Sequence, residues 1–179
     1  SNTTGDVLTA VGYKALYSNT TGIENTAVGQ DALGLNTTGA YNTGIGVGAG
    51  KSTTTGNRNT SLGWLALHLN TTASTNTAIG YQAGYTNQTG AEFVAVGYQA
   101  LYYNTGSYST AVGNQALRSN TTGANAAFGQ FTLYANTTGT GNAAFGGYPG
   151  SGSQTMVNNT TGSYNSAFGM GALAANTTA

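Results

Sequence analysis

The chain has 179 residues, of which 32 are Thr, 29 Gly and 20 Asn, whereas Leu, Ile, Val and Phe together number only 28. So few large apolar residues argue against a conventional globule with a thick core, and a net charge of zero argues against nucleic acid as a partner. Without Cys and with a single His, the sequence offers no disulfide framework and no histidine or thiolate metal site, so no cofactor is predicted.

A motif of a small residue, an apolar residue and Gly recurs ten times, at intervals of 16 or 17 residues apart from one interval of 23. Repeats of this size bury a continuous core only when they stack on one another. We therefore predict a single repeat array over residues 1–179, with coils of about 17 residues. The ten glycines that set the register are Gly12, Gly29, Gly46, Gly63, Gly80, Gly97, Gly113, Gly129, Gly146 and Gly169.

Each register glycine follows a short β-branched stretch, such as Thr26-Ala27-Val28, that lies between Asn and Gly residues. This pattern is typical of a strand, and 17 residues are too few for two helices with turns. The predicted fold is therefore all-β, a β-solenoid or β-roll of about ten coils spaced about 4.8 Å apart. The recurring Asn-Thr-Thr-Gly segments, as at Asn19–Gly22, are predicted to be exposed turns.

The residue before each register glycine is always large and apolar, so this column is predicted to be the buried core. The Thr two positions earlier is Ala or Ser where the apolar residue is Phe, which favours placing both columns on the same, inward side of the strand. The predicted core column consists of Val11, Val28, Ile45, Leu62, Ile79, Val96, Val112, Phe128, Phe145 and Phe168.

The interval of 23 residues between Gly146 and Gly169 carries about six extra residues near 148–157, including Pro149. Insertions in repeat proteins usually form loops on one face. We expect a protruding loop here, and we expect the deletion of residues 151–156 to leave folding intact.

The motif Asn25-Thr26-Ala27-Val28-Gly29 resembles the head repeats of trimeric autotransporter adhesins. The longer pattern, with Ala-Leu and then Asn-Thr-Thr-Gly, is similar to repeats of bacterial and phage tail-fibre-like proteins. The resemblance implies a β-roll, homotrimers and binding to a host surface. The adhesin repeat is shorter than the present one, and no chaperone, stalk or anchor segment is seen.

Three groups of residues were considered as chemical sites, and none has the pattern that such a site requires. Gly44–Thr53 ends like a phosphate-binding loop, but Ile45 stands where that loop requires Gly. The carboxylates Asp6, Glu24, Asp31 and Glu92 are too scattered for paired acid–base chemistry, although Asp6 and Glu24 lie one coil apart. His68 occupies a column that elsewhere holds Tyr, so we interpret it as a surface variant. The chain is predicted not to be an enzyme.

An aromatic column follows the register glycine at Tyr13, Trp64, Tyr81 and Tyr98. Such a column either binds sugars by stacking or packs between coils or protomers, and we favour packing. Asn-x-Ser/Thr sequons are candidate glycosylation sites in predicted turns. They begin at Asn2, Asn19, Asn36, Asn59, Asn70, Asn87, Asn120, Asn136, Asn158, Asn159 and Asn176.

The resulting functional hypothesis is a structural and interaction segment of an extracellular, cell-surface or virion fibre, either a phage-type tail fibre or an adhesin. Its expected partners are copies of itself, stacked end to end as part of a longer filament or joined as a homotrimer, and glycans or a host surface. No membrane insertion is expected, since no apolar run approaches the length of about 20 residues that spans a bilayer. Two alternatives stay open: a filament that carries N-glycans, and an ice-binding solenoid with a Thr array, which an inward Thr column would weaken.

Overall fold

The computed structural model describes residues 2–147 and 154–178 and shows an all-β parallel solenoid, with no helix in either range. Each repeat contributes one strand of three residues, and the strands pair in sequence order in one parallel sheet. The predicted all-β solenoid with coils of about 17 residues is thereby confirmed. The strands are β1 (Thr9–Val11), β2 (Thr26–Val28), β3 (Thr43–Ile45), β4 (Thr60–Leu62), β5 (Thr77–Ile79), β6 (Val94–Val96), β7 (Thr110–Val112), β8 (Ala126–Phe128), β9 (Ala143–Phe145) and β10 (Ser166–Phe168).

The coils stack in register, so equivalent residues of successive repeats form columns. In β4 and β5, for example, Thr60 pairs with Thr77 and Leu62 pairs with Ile79. Every strand is connected to the next by a coil of the chain, which gives the parallel orientation. The repeat register predicted from the glycines is therefore the structural register.

The predicted core column faces the wrong way: its side chains point outward. In β2, and in β5 to β9, the middle residue is buried while its two neighbours are half-buried. None of the ten predicted core residues is buried. The most exposed of them are open to solvent, with exposed fractions of 58% for Val11, 37% for Ile45, 41% for Leu62 and 69% for Phe168. The Thr column shares this outward face, so its predicted inward position is also wrong.

The interior is instead filled by two other columns. One is the Ala column in the middle of the strands, and the other is the Leu column four residues after the register glycine. The space is narrow: a Cβ added at Gly44 in the Ala column would lie 2.9 Å from Leu33 Cγ. Only a small residue fits there, which is why Val and Phe take the outer side. The buried Leu column comprises Leu16, Leu33, Leu67, Leu101, Leu117 and Leu133.

All ten register glycines have positive φ, and at all of them except Gly169 a Cβ would also collide with a neighbouring atom. Gly80 has φ 130°, and a Cβ on it would lie 2.5 Å from the carbonyl oxygen of Gly97 in the next coil. The Leu column also has left-handed backbone, with φ 47° at Leu33 and 51° at Leu101. A β-branched residue is poorly suited to that region, which accounts for Leu rather than Val or Ile.

Part of the predicted insertion belongs to the solenoid interior. Residues 148–153, including Pro149, lie outside the described residues. Gln154, Thr155 and Met156 are buried, and Met156 has the left-handed φ of the Leu column, 49°. Its amide donates to Ala172 in the following coil. The predicted loop therefore does not extend to residue 157. Deleting residues 151–156 would remove three buried side chains, and the expectation that folding survives this deletion stays a prediction.

One coil shows how the interior compensates for the loss of a Leu. Gly84 stands in the Leu column, and a Cβ on it would lie 2.9 Å from the Phe93 ring. Phe93, which is 1% exposed, stands where most repeats place a buried Asn. The ring fills the volume that the missing Leu leaves.

We predict strong coupling between these two positions. Gly84→Leu alone overpacks the coil and costs about 1–3 kcal/mol, and Phe93→Asn alone leaves a cavity and costs about 3–5 kcal/mol. The double variant restores the arrangement of the other coils and should recover most of both losses. Chemical denaturation of the four proteins measures the coupling free energy, and simple additivity of the two losses would contradict this account.

Candidate interaction surface

The outer side of the sheet presents two parallel columns along the whole array. One is the predicted core column, here called the outer apolar column, and the other is the Thr column two residues earlier in each strand. Neither column contains a charged residue in any of the ten described strands. An uncharged, largely apolar surface of this length is unusual on an isolated soluble chain.

The two outer columns vary together. In β8 and β9 the Thr of the earlier strands is replaced by Ala, and the aliphatic residue is replaced by Phe. The phenyl rings stack on one another, with centroids 4.7 Å apart for Phe128 and Phe145 and 4.9 Å apart for Phe145 and Phe168. A smaller residue beside a larger one keeps the volume of the outer layer nearly constant.

Three of the four rings in the aromatic column after the register glycine pack between coils, as predicted, whereas Tyr13 is 66% exposed. Trp64 and Tyr81 stack with centroids 4.8 Å apart, and Tyr81 and Tyr98 stack at 5.1 Å. Because each ring lies against the next coil's ring, the ring faces within the stack are covered and the edges are exposed. Sugar binding on the inner faces of this stack is therefore blocked.

A second set of rings follows the Leu column, and His68 belongs to it. His68 stacks on Tyr85 at 5.4 Å, Tyr85 stacks on Tyr102 at 5.1 Å, and His68 Nδ1 donates to the Gly48 carbonyl over 3.0 Å. The Arg118 guanidinium lies 5.3 Å from the centre of the Tyr102 ring. Burial, and then the adjacent Tyr85 hydroxyl, raises the pKa of the Tyr102 phenol.

The carboxylates that the sequence analysis considered do not form a reactive site in the structure. The Glu24 amide donates to the Asp6 backbone carbonyl, but both side chains are exposed, as is that of Glu92. Within residues 2–147 and 154–178, no three His, Asp or Glu side chains form a group that would hold a metal ion. The same ranges contain no helix long and apolar enough to cross a bilayer.

The segment 44–53 follows the columns of its coil and does not wrap around a phosphate-sized space. Ile45 lies in the outer apolar column, and Ala49 is buried in the interior. Lys51 forms an ion pair with Asp31 in the preceding coil, with Nζ and Oδ2 3.5 Å apart.

The glycosylation hypothesis fails for most sequons, because their Asn side chains are inside the solenoid. Asn2 and Asn158 are exposed and Asn176 is half-buried. The other eight are at most 2% exposed and so are closed to a glycan in the folded chain: Asn19, Asn36, Asn59, Asn70, Asn87, Asn120, Asn136 and Asn159.

The turn Asn residues form a ladder of amide hydrogen bonds along the solenoid, and their side chains are buried, so the predicted exposure of these turns is wrong for the Asn. Asn36 Nδ2 donates to Asn19 Oδ1 over 2.7 Å and to the Gly39 carbonyl over 3.0 Å. Asn136 and Asn159 repeat the arrangement further along, with Asn159 Nδ2 2.8 Å from Asn136 Oδ1. Each amide thus closes its own turn and bonds to the preceding coil.

The ladder is broken where its sequence changes. Thr53 takes the Asn position in the third coil, and Asn36 Oδ1 is left buried without a hydrogen-bond donor. Asn87 Oδ1 is orphaned in the same way, because the next turn is one residue shorter and Asn104 Nδ2 donates to Gly106 instead. A buried unsatisfied acceptor of this kind costs about 1–3 kcal/mol.

We predict that Thr53→Asn stabilises the protein, because the new Nδ2 would donate to Asn36 Oδ1. The expected gain is about 1 kcal/mol, measured as a higher free energy of unfolding in urea. Thr53→Val, which supplies no donor and also removes the acceptor of Asn70 Nδ2, is the matched control and should destabilise the chain. Equal stability of the Asn and Val variants would show that the orphaned acceptor is not the cause.

No family model matches this chain, and no curated protein or solved structure matches it. The resemblance to adhesin heads and tail-fibre repeats therefore stays a prediction that derives from the repeat motif alone.

Proposed function

We propose that the chain is a non-enzymatic structural and interaction segment of an extracellular fibre, of the phage tail-fibre or adhesin kind. In this proposal, copies of the chain associate side by side through the outer face of the sheet. The observation that supports it best is the outer apolar column, which is apolar in all ten strands and buried in none.

The partner that best fits the outer face of the sheet is a second copy of the chain. A partner that repeats at the coil spacing can contact every coil, whereas a globular partner would contact only a few. The face carries no charge, so two copies meet without repulsion or the desolvation of ions. The joint change from Thr and Val to Ala and Phe keeps the outer layer level, as a contact surface shared along the axis requires.

The resemblance to adhesin heads favours a homotrimer with the apolar faces directed to a common axis. This arrangement would leave the ring columns on the other sides of each coil for glycans or a host surface.

Two adjacent residues of β5 test the proposal, because they point to opposite sides of the sheet. Ile79→Asp places a charge on the outer face and should change the free energy of unfolding of the isolated chain by about 1 kcal/mol or less while abolishing the oligomer. Ala78→Asp is the matched control: it buries an unpaired charge in the interior and should prevent folding.

Sedimentation equilibrium gives the mass of each variant, and circular dichroism shows whether it folds. An Ile79→Asp protein that keeps the oligomeric mass, or a wild-type protein that is monomeric at all accessible concentrations, would contradict lateral association through this face.

Ice binding is the second candidate, and the outward direction of the Thr column supports it more than the sequence analysis allowed. Thr9, Thr26, Thr43, Thr60 and Thr77 form an uninterrupted row of hydroxyl and methyl groups at the strand spacing. The Phe rings of β8, β9 and β10 interrupt this pattern, since an ice lattice gains nothing from the compensating change in volume. We therefore rank ice binding below self-association.

A thermal hysteresis measurement separates the two candidates. Ice binding predicts hysteresis that Thr43→Lys in the middle of the row sharply reduces, while Thr122→Lys in an outer turn leaves it unchanged. Under the fibre proposal, the wild-type chain shows no hysteresis at any concentration.

A further inference from the structure

We propose that a notch at Gly34 binds a small ring-bearing carboxylate. The notch lies in the column that follows the Leu column, where His68, Tyr85 and Tyr102 stack ring on ring. Gly34 occupies this column between Tyr17 of the preceding coil and Lys51 of the following coil. The glycine leaves the place of one ring empty.

The dimensions of the notch fit one ring. Its volume is about 270 Å³, just below the range of about 300–1,000 Å³ that is typical of small-ligand pockets, and Gly34 is a buried residue of its lining. Tyr17 and Lys51 are two coils apart, a distance of about 10 Å along the axis. A ring inserted between them would lie near the separation of 5.1–5.4 Å seen in the intact part of the column.

Charge is concentrated at the notch in a chain that has little of it. The whole chain carries four basic and four acidic residues, and three of these eight, Lys14, Asp31 and Lys51, line this one cavity. Lys51 pairs with Asp31, whereas the Lys14 ammonium lies near the Tyr13 and Tyr17 rings, 5.2 Å and 5.7 Å from their centres. Of the carboxylates in the described part of the chain, none is within ion-pair distance of Lys14.

These groups specify the ligand class. The net positive charge favours an anion, and Lys14 is the ammonium without a carboxylate partner, so it is placed to take a carboxylate. The Tyr17 ring offers a flat wall for a sugar or aromatic ring. The Asp31 carboxylate accepts hydrogen bonds, which suits a ligand hydroxyl beside the acid group. Sugar acids and aromatic acids share the ring and the carboxylate, and only the former supply several hydroxyls.

The residues that occupy this column in other coils indicate which substitution would fill the notch. A Cβ on Gly34 would lie 3.1 Å from the Asp31 carbonyl oxygen and 3.4 Å from that of Lys14, so only small shifts are needed to accept a side chain. Tyr is the residue of this column in other coils, such as Tyr85 and Tyr102. Gly34→Tyr should therefore extend the ring stack and close the notch without disturbing the coil.

The experiment titrates sodium glucuronate and sodium benzoate into the protein, with glucose and acetate as probes that lack the charge or the ring. Binding is followed by ligand-observed NMR and calorimetry, and circular dichroism monitors the fold. We expect at least one ring-bearing acid to bind more tightly than both control probes. We also expect Gly34→Tyr to abolish this binding, and Lys14→Gln to weaken it about three- to fivefold. Arg118→Gln, which removes a charge from the same column four coils beyond Lys51, is the matched control and should bind as the wild type does.

Tighter binding of glucuronate identifies a sugar acid, and tighter binding of benzoate identifies an aromatic acid; either result supports the notch. The proposal is overturned if neither acid binds at millimolar concentration, if glucose or acetate binds as well as the acids, or if Lys14→Gln retains full affinity. Retained binding in a folded Gly34→Tyr protein would overturn it as well. None of these outcomes depends on whether the chain self-associates.

Discussion

The narrow interior of each coil is the constraint on which the rest of the structure depends. A Cβ at Gly44 would already press on Leu33, so most coils have room for Ala, Leu and Asn, and the coil that holds Phe93 has Gly84 in place of Leu. Such an interior buries little apolar surface per residue, and cohesion must come largely from hydrogen bonds between coils. The backbone pairs and the Asn amides supply these bonds at every turn of the chain.

The same constraint explains the unusual exterior. Large apolar residues that the interior cannot hold are placed on the outer side of the strands, where Val, Ile and Phe keep the β propensity of the sheet. Rings on adjacent coils cover one another, as Trp64, Tyr81 and Tyr98 do. The exterior is thus ordered by the coil spacing in the same way as the interior, and any surface that is shared with a partner inherits this repeat.

The repeat length, the strands and their register follow from the sequence, because the register glycines occur where no other residue fits. Which residues of each strand face the interior was harder to predict from the sequence. In a strand of three residues, either the middle residue or the two outer ones face the interior. The larger size of Val28 favoured the outer residues, whereas the narrow coil requires Ala27 to face inward. The burial of the turn Asn side chains was also missed, since an isolated Asn-Thr-Thr-Gly segment is an ordinary turn and only stacking makes Asn36 an interior residue. The notch at Gly34 was visible as a gap in an aligned column, but its grouping of Lys14, Asp31 and Lys51 depends on how the coils are wound.

Each strand of the described solenoid contacts only the strands before and after it, and this has a mechanical consequence. A tensile load applied along the axis passes through the coils in series, so every interface bears the full load and the weakest one yields first. A released coil of about 17 residues straightens to roughly 55 Å in place of a rise of about 4.8 Å. Stretching would then proceed in equal steps of about 50 Å, each absorbing the energy of one interface. The array would therefore lengthen by unfolding single coils before it unfolds as a whole.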